Sequence, residues 1–280
     1  MMNAKSVHAA RDAISDGGSR SAWTPLASSP GAFTTFAGHL GVRTASLHFE
    51  DVLGLDNDLL AMLPSPCIAL VLTYPTSAVA QAHLDSKQEF DEARATHVGS
   101  EMLASATGPV FLRQRSGGAC GTIAALHALI NGARVLPASM ESLLGRSLCE
   151  ELLLLSDGNG IDARSGNLCE RRSQRLFDSP KIRAAHDLSA TATATAASRA
   201  GERQGRHFVT LVRANDRLLI CDGRRSGPID CGPTCEASFL RDAADEVARL
   251  AAAVDTADAL AFSLLALVAN NYAGDVSEPE

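Results

Sequence analysis

A chain of 280 residues that is 46 % hydrophobic and 20 % charged can close one large core or two small ones. Its formal charge of −7 argues against a nucleic-acid binder, which would need a basic face, and its longest apolar runs, such as "ALAFSLLALVA", are too short to span a bilayer. Seven cysteines, an odd number scattered from 67 to 235 with no apolar leader ahead of them, indicate reduced thiols and a cytoplasmic or nuclear protein.

Residues 1–21 are polar, small and without period, and read as a flexible extension. In "FTTFAGHLGV" Phe33, Phe36 and Leu40 recur at helical spacing, "ASLHFEDV" reads as a strand, and "NDLLAMLP" as a short helix that stops before Pro64. "CIALVLTYP" is a continuous apolar run ending at a proline, the pattern of a buried central strand. Residues 76–100 read as a helix with a polar loop, and "PVFLRQ" as a further strand. Beyond Cys120, Ile123, Leu126, Leu129 and Ile130 step by three and four, so a helix starts at or beside the cysteine. "SMESLLGRSLCEELLLL" reads as one more helix.

The Ala/Thr/Ser-rich segment 189–205 has too few large apolar groups to offset its ordering entropy, and reads as a long mobile loop. "HFVTLV" and "RLLICDG", joined through "RAND", read as a β-hairpin, "FLRDAADEVARLAAAV" as an amphipathic helix and "ALAFSLLALV" as a last buried strand. The residues after 273 form an acidic tail. Helices and about six strands without a strict βαβ rhythm suggest an α+β or mixed α/β fold with one main sheet.

The chemistry concentrates around Cys120. A thiol at a helix N-terminus sits beside unsatisfied backbone N–H groups and the positive end of the helix dipole, both of which favour thiolate. Gln114 lies six residues upstream, where its side-chain amide could point at the site. His207 opens one arm of the hairpin and Asp222 closes the other, so register brings them opposite or within a residue or two. An imidazole oriented by a carboxylate is the base a thiolate nucleophile uses. Singly, each residue has an ordinary explanation in packing; together they form a pattern that chance rarely produces.

Other clusters read as structural. Cys231 and Cys235, near Cys221, lack a second pair at zinc-ligand spacing, so no metal and no cofactor is expected. His127 reads as a packed helix histidine, His186 carries no assigned chemistry, the pair Arg171–Arg172 reads as a solvated face, and "DGNG" at 157–160 as a turn. No C-x-x-C spacing supports a redox protein.

With those residues in place, "PVFLRQRSGGACGTIAALHALIN" and "HFVTLVRANDRLLICDGRRSGPIDCG" strongly resemble the two signature regions of ubiquitin C-terminal hydrolases, which are papain-like cysteine peptidases. The likeness extends in order from "WTPLASSPGAFTTFAGHLGV" through "HFEDVLGLDNDLLAMLPSPCIALVLTYP" and "IRAAHD" to "FLRDAADEVARLAA" and the strand after it, about residues 22–270. It implies a catalytic domain over 22–273, built as a six-stranded, mostly antiparallel sheet sandwiched between helices with a knotted backbone, and a crossover loop at 189–205. It also implies roles: Cys120 as nucleophile, His207 as general base and later acid, Asp222 as its orienter, Gln114 as an oxyanion donor beside the Cys120 N–H, and Asp51 in "FEDVLGLD" as a carboxylate for a basic substrate tail. Its implied partner is ubiquitin or a ubiquitin-like protein, handled by a monomer with no nucleic acid or membrane involved. Where the family usually carries Asn two residues before the cysteine this chain has Gly118, and where relatives carry acidic residues after W-x-P-L it has Ala27 and Gly31. The expected activity is release of small or disordered adducts from the ubiquitin C-terminus, with a ubiquitin-binding module of little turnover as the alternative.

Overall fold

The computed structural model describes residues 23–94, 108–137, 140–153, 168–194, 205–254 and 259–270. The extension 1–21, the tail 274–280 and the turn at 157–160 lie outside the described residues. Six strands form one sheet in the order β1-β6-β2-β3-β4-β5: β1 (Leu47–Asp51), β2 (Cys67–Pro75), β3 (Arg206–Ala214), β4 (Arg217–Cys221), β5 (Ile229–Pro233) and β6 (Ser263–Ala269). Every neighbouring pair is antiparallel. The long apolar run of β2 is explained by its place between β6 and β3, with helices covering both faces.

On one face α1 (Pro30–Leu40), α4 (Cys120–Arg134) and α8 (Pro180–Ala194) pack against alternate strand residues such as Leu47, Val71, Phe208 and Leu265. On the other, α3 (Ala78–Arg94) and α9 (Phe239–Ala253) cover Leu70, Leu72, Val209, Leu211 and Ile220. The one-residue alternation along β2 and β3 thus sorts side chains into two cores. Helix α1 is well stopped: Ser29 Oγ accepts from the Ala32 N–H, Pro30 occupies the first turn, and Gly41 closes the end at φ +93°. Short helices α2 (Asn57–Leu60), α5 (Met140–Leu144), α6 (Arg146–Leu153) and α7 (Leu168–Asp178) complete the described elements named here. Helix α4 is buried along its length, from Cys120 through Ala133, so its apolar stripe continues all the way round.

Four expectations are corrected. "PVFLRQ" is not a strand of the sheet: its amides are taken by side chains and one loop carbonyl instead of a neighbouring ladder. Val110 N–H donates to Asn131 Oδ1 (2.7 Å), Leu112 N–H to His127 Nε2 (2.8 Å), Arg113 N–H to Ser173 Oγ (2.7 Å) and Gln114 N–H to the Gly223 carbonyl (2.7 Å). The sixth strand is β5, whose short half-buried run gives no clear alternation. The single helix expected over 139–155 is two, α5 and α6, broken at Gly145 with φ +78°. The loop expected at 189–205 is helical as far as Ala194, because Ser189 and Ala190 are buried on α8 and Ser189 Oγ donates to the Ala185 carbonyl; 195–204 lie outside the described residues. Finally, Arg172 is 3 % exposed, so only Arg171 of that pair is solvated. The hairpin is as expected, and Asn215 and Asp216, both at positive φ, turn it in two residues.

Candidate active site

The sheet places the parts before any side chain is considered. Because the strands alternate in direction, the C-terminal ends of β1, β2 and β4 and the N-terminal ends of β3 and β6 share one edge of the sheet. Asp51, Tyr74, His207 and Asp222 all lie along that edge. His207 pairs with Tyr74, whose ring meets the imidazole edge-on at 5.9 Å. On β4 the last paired residue is Cys221, opposite Thr210, so Asp222 follows on the same face as His207 and two register steps from it. His207 Nε2 donates to Asp222 Oδ1 at 2.6 Å, with both side chains essentially inaccessible.

Cys120 begins α4, as the periodicity predicts, and is 7 % exposed. Burial alone would push its thiol up, but hydrogen bonding and charge from His207, the Phe208 backbone and the Arg224 side chain outweigh it, and the net shift is downward. For His207, burial disfavours the imidazolium, yet the Asp222 carboxylate and the thiol raise it above the ordinary histidine value. Burial likewise opposes the Asp222 carboxylate, and His207⁺, the Arg224 N–H and Arg225 bring it down to about 2. The three shifts point the same way, toward thiolate, imidazolium and carboxylate together. With Nε2 committed to Asp222, Nδ1 is the ring nitrogen left for the thiol, and it has no other hydrogen-bond partner among the described residues.

Gln114 is tied to this assembly by its backbone: its N–H donates to Gly223 O, and Gly223 has so little room that a Cβ there would stand 3.3 Å from Gln114 Cβ and 3.0 Å from Ile123 Cγ2. Its side-chain amide donates one hydrogen to the Ser116 carbonyl (2.9 Å), while Oε1 is buried without a partner among the described residues. Asp51 is exposed at the end of β1, three strands from β3, about 14 Å across the sheet at the usual strand spacing.

Three contributors were not singled out from the sequence. The segment after Trp23 lies on the loop ahead of Cys120: a Cβ on Gly118 (φ +77°) would fall 1.8 Å from the Trp23 carbonyl oxygen, and one on Gly121 would fall 3.1 Å from Leu26 Cβ. Gly118 is therefore the residue this packing requires, and the Trp23 carbonyl occupies the space of any side chain there. His186, given no chemistry, is fully buried with Nδ1 bonded to Thr122 Oγ1 at 2.7 Å and its ring 4.5 Å from that of Trp23. Burial pushes it down to about 4, so it is neutral and ties α8 to the first turn of α4. His127 is likewise neutral, pushed down to about 3 by burial, and its Nε2 serves Leu112 as acceptor. The third is Arg225, which stands against Asp222. Only the "AAHD" block marked His186, as part of a resemblance without a role.

A thiol at the start of a buried helix, an imidazole held by a carboxylate and a glycine-bearing loop ahead of the thiol together make the constellation that cysteine peptidases use. Comparison with known proteins narrows this. The model of the family described as ubiquitin carboxyl-terminal hydrolase, family 1, matches residues 23–252. A ubiquitin carboxyl-terminal hydrolase of Aplysia californica is 32 % identical over 230 residues, covering 82 % of this chain and 95 % of that protein. One from Drosophila melanogaster is 31 % identical, covering 79 % and 87 % respectively. Among solved structures, the UCH37 catalytic domain of Trichinella spiralis bound to ubiquitin vinyl methyl ester superposes with a TM-score of 0.61 at 21 % identity, over 92 % of this chain and 99 % of that one. The chain belongs to ubiquitin carboxyl-terminal hydrolase family 1.

Proposed function

We propose that this enzyme releases short or unstructured adducts from the C-terminus of ubiquitin or a ubiquitin-like protein. The observation that carries the reading is the depth of the catalytic groups: Cys120 is 7 % exposed, Asp222 1 % and His207 not at all. A nucleophile so enclosed is reached by an extended single chain and not by the surface of a folded domain. Asp51, on the same edge of the sheet, supports a role as the carboxylate that meets a basic tail.

In this reading the Cys120 thiolate attacks the carbonyl carbon of the substrate's last residue, and the carbonyl oxygen takes up the negative charge. The Cys120 N–H and the second hydrogen of the Gln114 amide serve as its donors. His207, as imidazolium, gives its proton to the departing amine, leaving an acyl thioester on Cys120. Neutral His207 then takes a proton from water, the hydroxide adds to the thioester, and the carboxylic acid and thiolate are released. Asp222 keeps the ring aligned and stabilises the imidazolium. None of the seven cysteines is in a disulfide, which supports action in the cytosol or nucleus.

The test uses ubiquitin carrying a C-terminal electrophile, a fluorogenic ubiquitin amide and a ubiquitin dimer. Covalent labelling mapped to Cys120 and absent in Cys120→Ala, with the small amide cut far faster than the dimer, is expected. Tight binding without labelling would instead make the chain a binding module, and equal rates on both substrates would remove the restriction to small adducts.

A further inference from the structure

Two arginines follow the Asp222–Gly223 corner, and the second turns inward. The Arg225 N–H donates to the Asp222 carbonyl (3.0 Å), and the short turn folds the guanidinium back under the carboxylate. Arg225 Nε stands 3.3 Å from Asp222 Oδ2, its Nη1 3.0 Å from Asp85 Oδ1 on α3, and the residue is 6 % exposed. The two oxygens of Asp222 are thus divided: Oδ1 accepts from His207 Nε2 and from the Arg224 N–H (3.0 Å), while Oδ2 faces Arg225. Charges alternate along one line, His207, Asp222, Arg225 and Asp85, of which the first three are buried. We propose that Arg225 is a positioning residue that sets the pH window of the Cys120–His207 pair through Asp222, and that Asp85 moderates it from α3.

The sign follows from charge. Arg225⁺ shares the Asp222 carboxylate with His207, so it weakens the hold of Asp222 on the imidazolium and favours the thiolate. Removing it shifts both titrations to higher pH. Asp85 offsets Arg225⁺, so removing the Asp85 charge shifts both to lower pH. The other titratable groups around the line, among the described residues, are these. Tyr74 on β2 and Cys221 on β4 are both raised well above their ordinary values by burial, and His127 on α4 is held near 3. Arg224 lies on the same corner. On the α3–α9 side Lys87 and Arg249 pair with Glu246 (2.6 and 2.8 Å), and His83 is lowered by burial. A role limited to fastening the corner to α3 would lower reactivity at every pH and leave the titration midpoints where they are.

The readout rests on Cys120 being the nucleophile but needs no ubiquitin: the rate of iodoacetamide alkylation of Cys120, followed by mass spectrometry of its peptide, across pH in the full chain. Arg225→Met should move the midpoint up by about 0.5–1 pH unit, the size expected for a unit charge a few contacts away at an effective dielectric of about 20. Asp85→Asn should move it down by about half as much. Arg225→Lys, which keeps the charge, should stay near the parent curve. Should Arg225→Met fail to fold, the partly exposed Asp85 site and the lysine variant still decide the matter. Unmoved midpoints, shifts of the same sign in Arg225→Met and Asp85→Asn, or a lysine variant that moves as far as methionine would each overturn the proposal. Failure to cut ubiquitin substrates would bear on the function and leave the alkylation result intact.

Discussion

Asparagine at position 118 should damage this enzyme. A Cβ there would lie 1.8 Å from Trp23 O and 2.8 Å from Trp23 C, where contacts below 3.0 Å essentially never occur, so the two backbones must separate by more than 1 Å. No rotamer relieves the overlap because both partners are main chain. Trp23 cannot retreat freely either: its ring sits 5.4 Å from Phe177, 4.5 Å from His186 and under the Arg183 guanidinium at 5.0 Å. Overpacking of this kind costs about 1–3 kcal/mol, and a left-handed backbone adds roughly 1 kcal/mol for alanine and less for asparagine. For a chain of this size that lowers Tm by about 5–15 °C in Gly118→Ala and slightly less in Gly118→Asn. Because the shift moves the loop leading into Cys120 by about 1 Å, hydrolysis should fall by roughly 10²-fold. The neighbours calibrate the effect. Gly117→Ala meets nothing within 4 Å and should be neutral, while Gly121→Ala, 3.1 Å from Leu26 Cβ, should fall between. A scanning-calorimetry Tm and a hydrolysis rate for Gly118→Asn equal to the parent would refute the argument, since the clash would then not exist.

Gln114→Ala should lose roughly 10²–10³ in kcat while Tm changes little, since it gives up one hydrogen bond, to the Ser116 carbonyl, and removes a buried Oε1 with no partner among the described residues; an unchanged kcat removes it from the oxyanion site. Asp222, lowered from 3.8 to about 2, contributes about 2 kcal/mol that is present above pH 4 and lost as pH falls through 2, so Asp222→Asn should flatten acid unfolding over that window. A parallel acid limb in parent and variant would contradict it. Asp51→Asn should raise KM more than it lowers kcat, with the difference fading in high salt; a salt-independent KM would place the exposed carboxylate off the substrate's path.

What could be read from the sequence was local. The helix after Cys120 announced itself by period, and the hairpin carrying His207 and Asp222 by two apolar arms and a tight turn, so the relative placement of these two side chains followed from register. What could not be read depends on partners far apart in the chain. "PVFLRQ" has a strand's composition, and only the arrival of Asn131, His127 and Ser173 diverts its amides from a ladder. β5 has a half-buried pattern that alternation does not mark. The break at Gly145 is set by a backbone conformation within an otherwise continuous helical pattern, with the Gly41 carbonyl 2.9 Å from where a Cβ would stand. Arg225 is one of two adjacent arginines, and nothing in its neighbours says which will turn inward to meet Asp85.

The position of β6 has a consequence for the order of events during synthesis. This strand comes last among the described elements, yet it lies between β1 and β2. Until it leaves the ribosome β1 has no neighbour in the sheet, and one flank of β2 keeps its N–H and C=O groups open to any passing strand. Helix α4, the hairpin and α1 are all translated earlier, but the face they pack on is incomplete while Leu265 and Leu267 are missing. The newborn chain therefore passes through an interval in which its most apolar strand is half-dressed. Peptidase activity becomes available only once β6 has emerged, so a polypeptide stalled before residue 263 would call on chaperones and not yet act on its substrate.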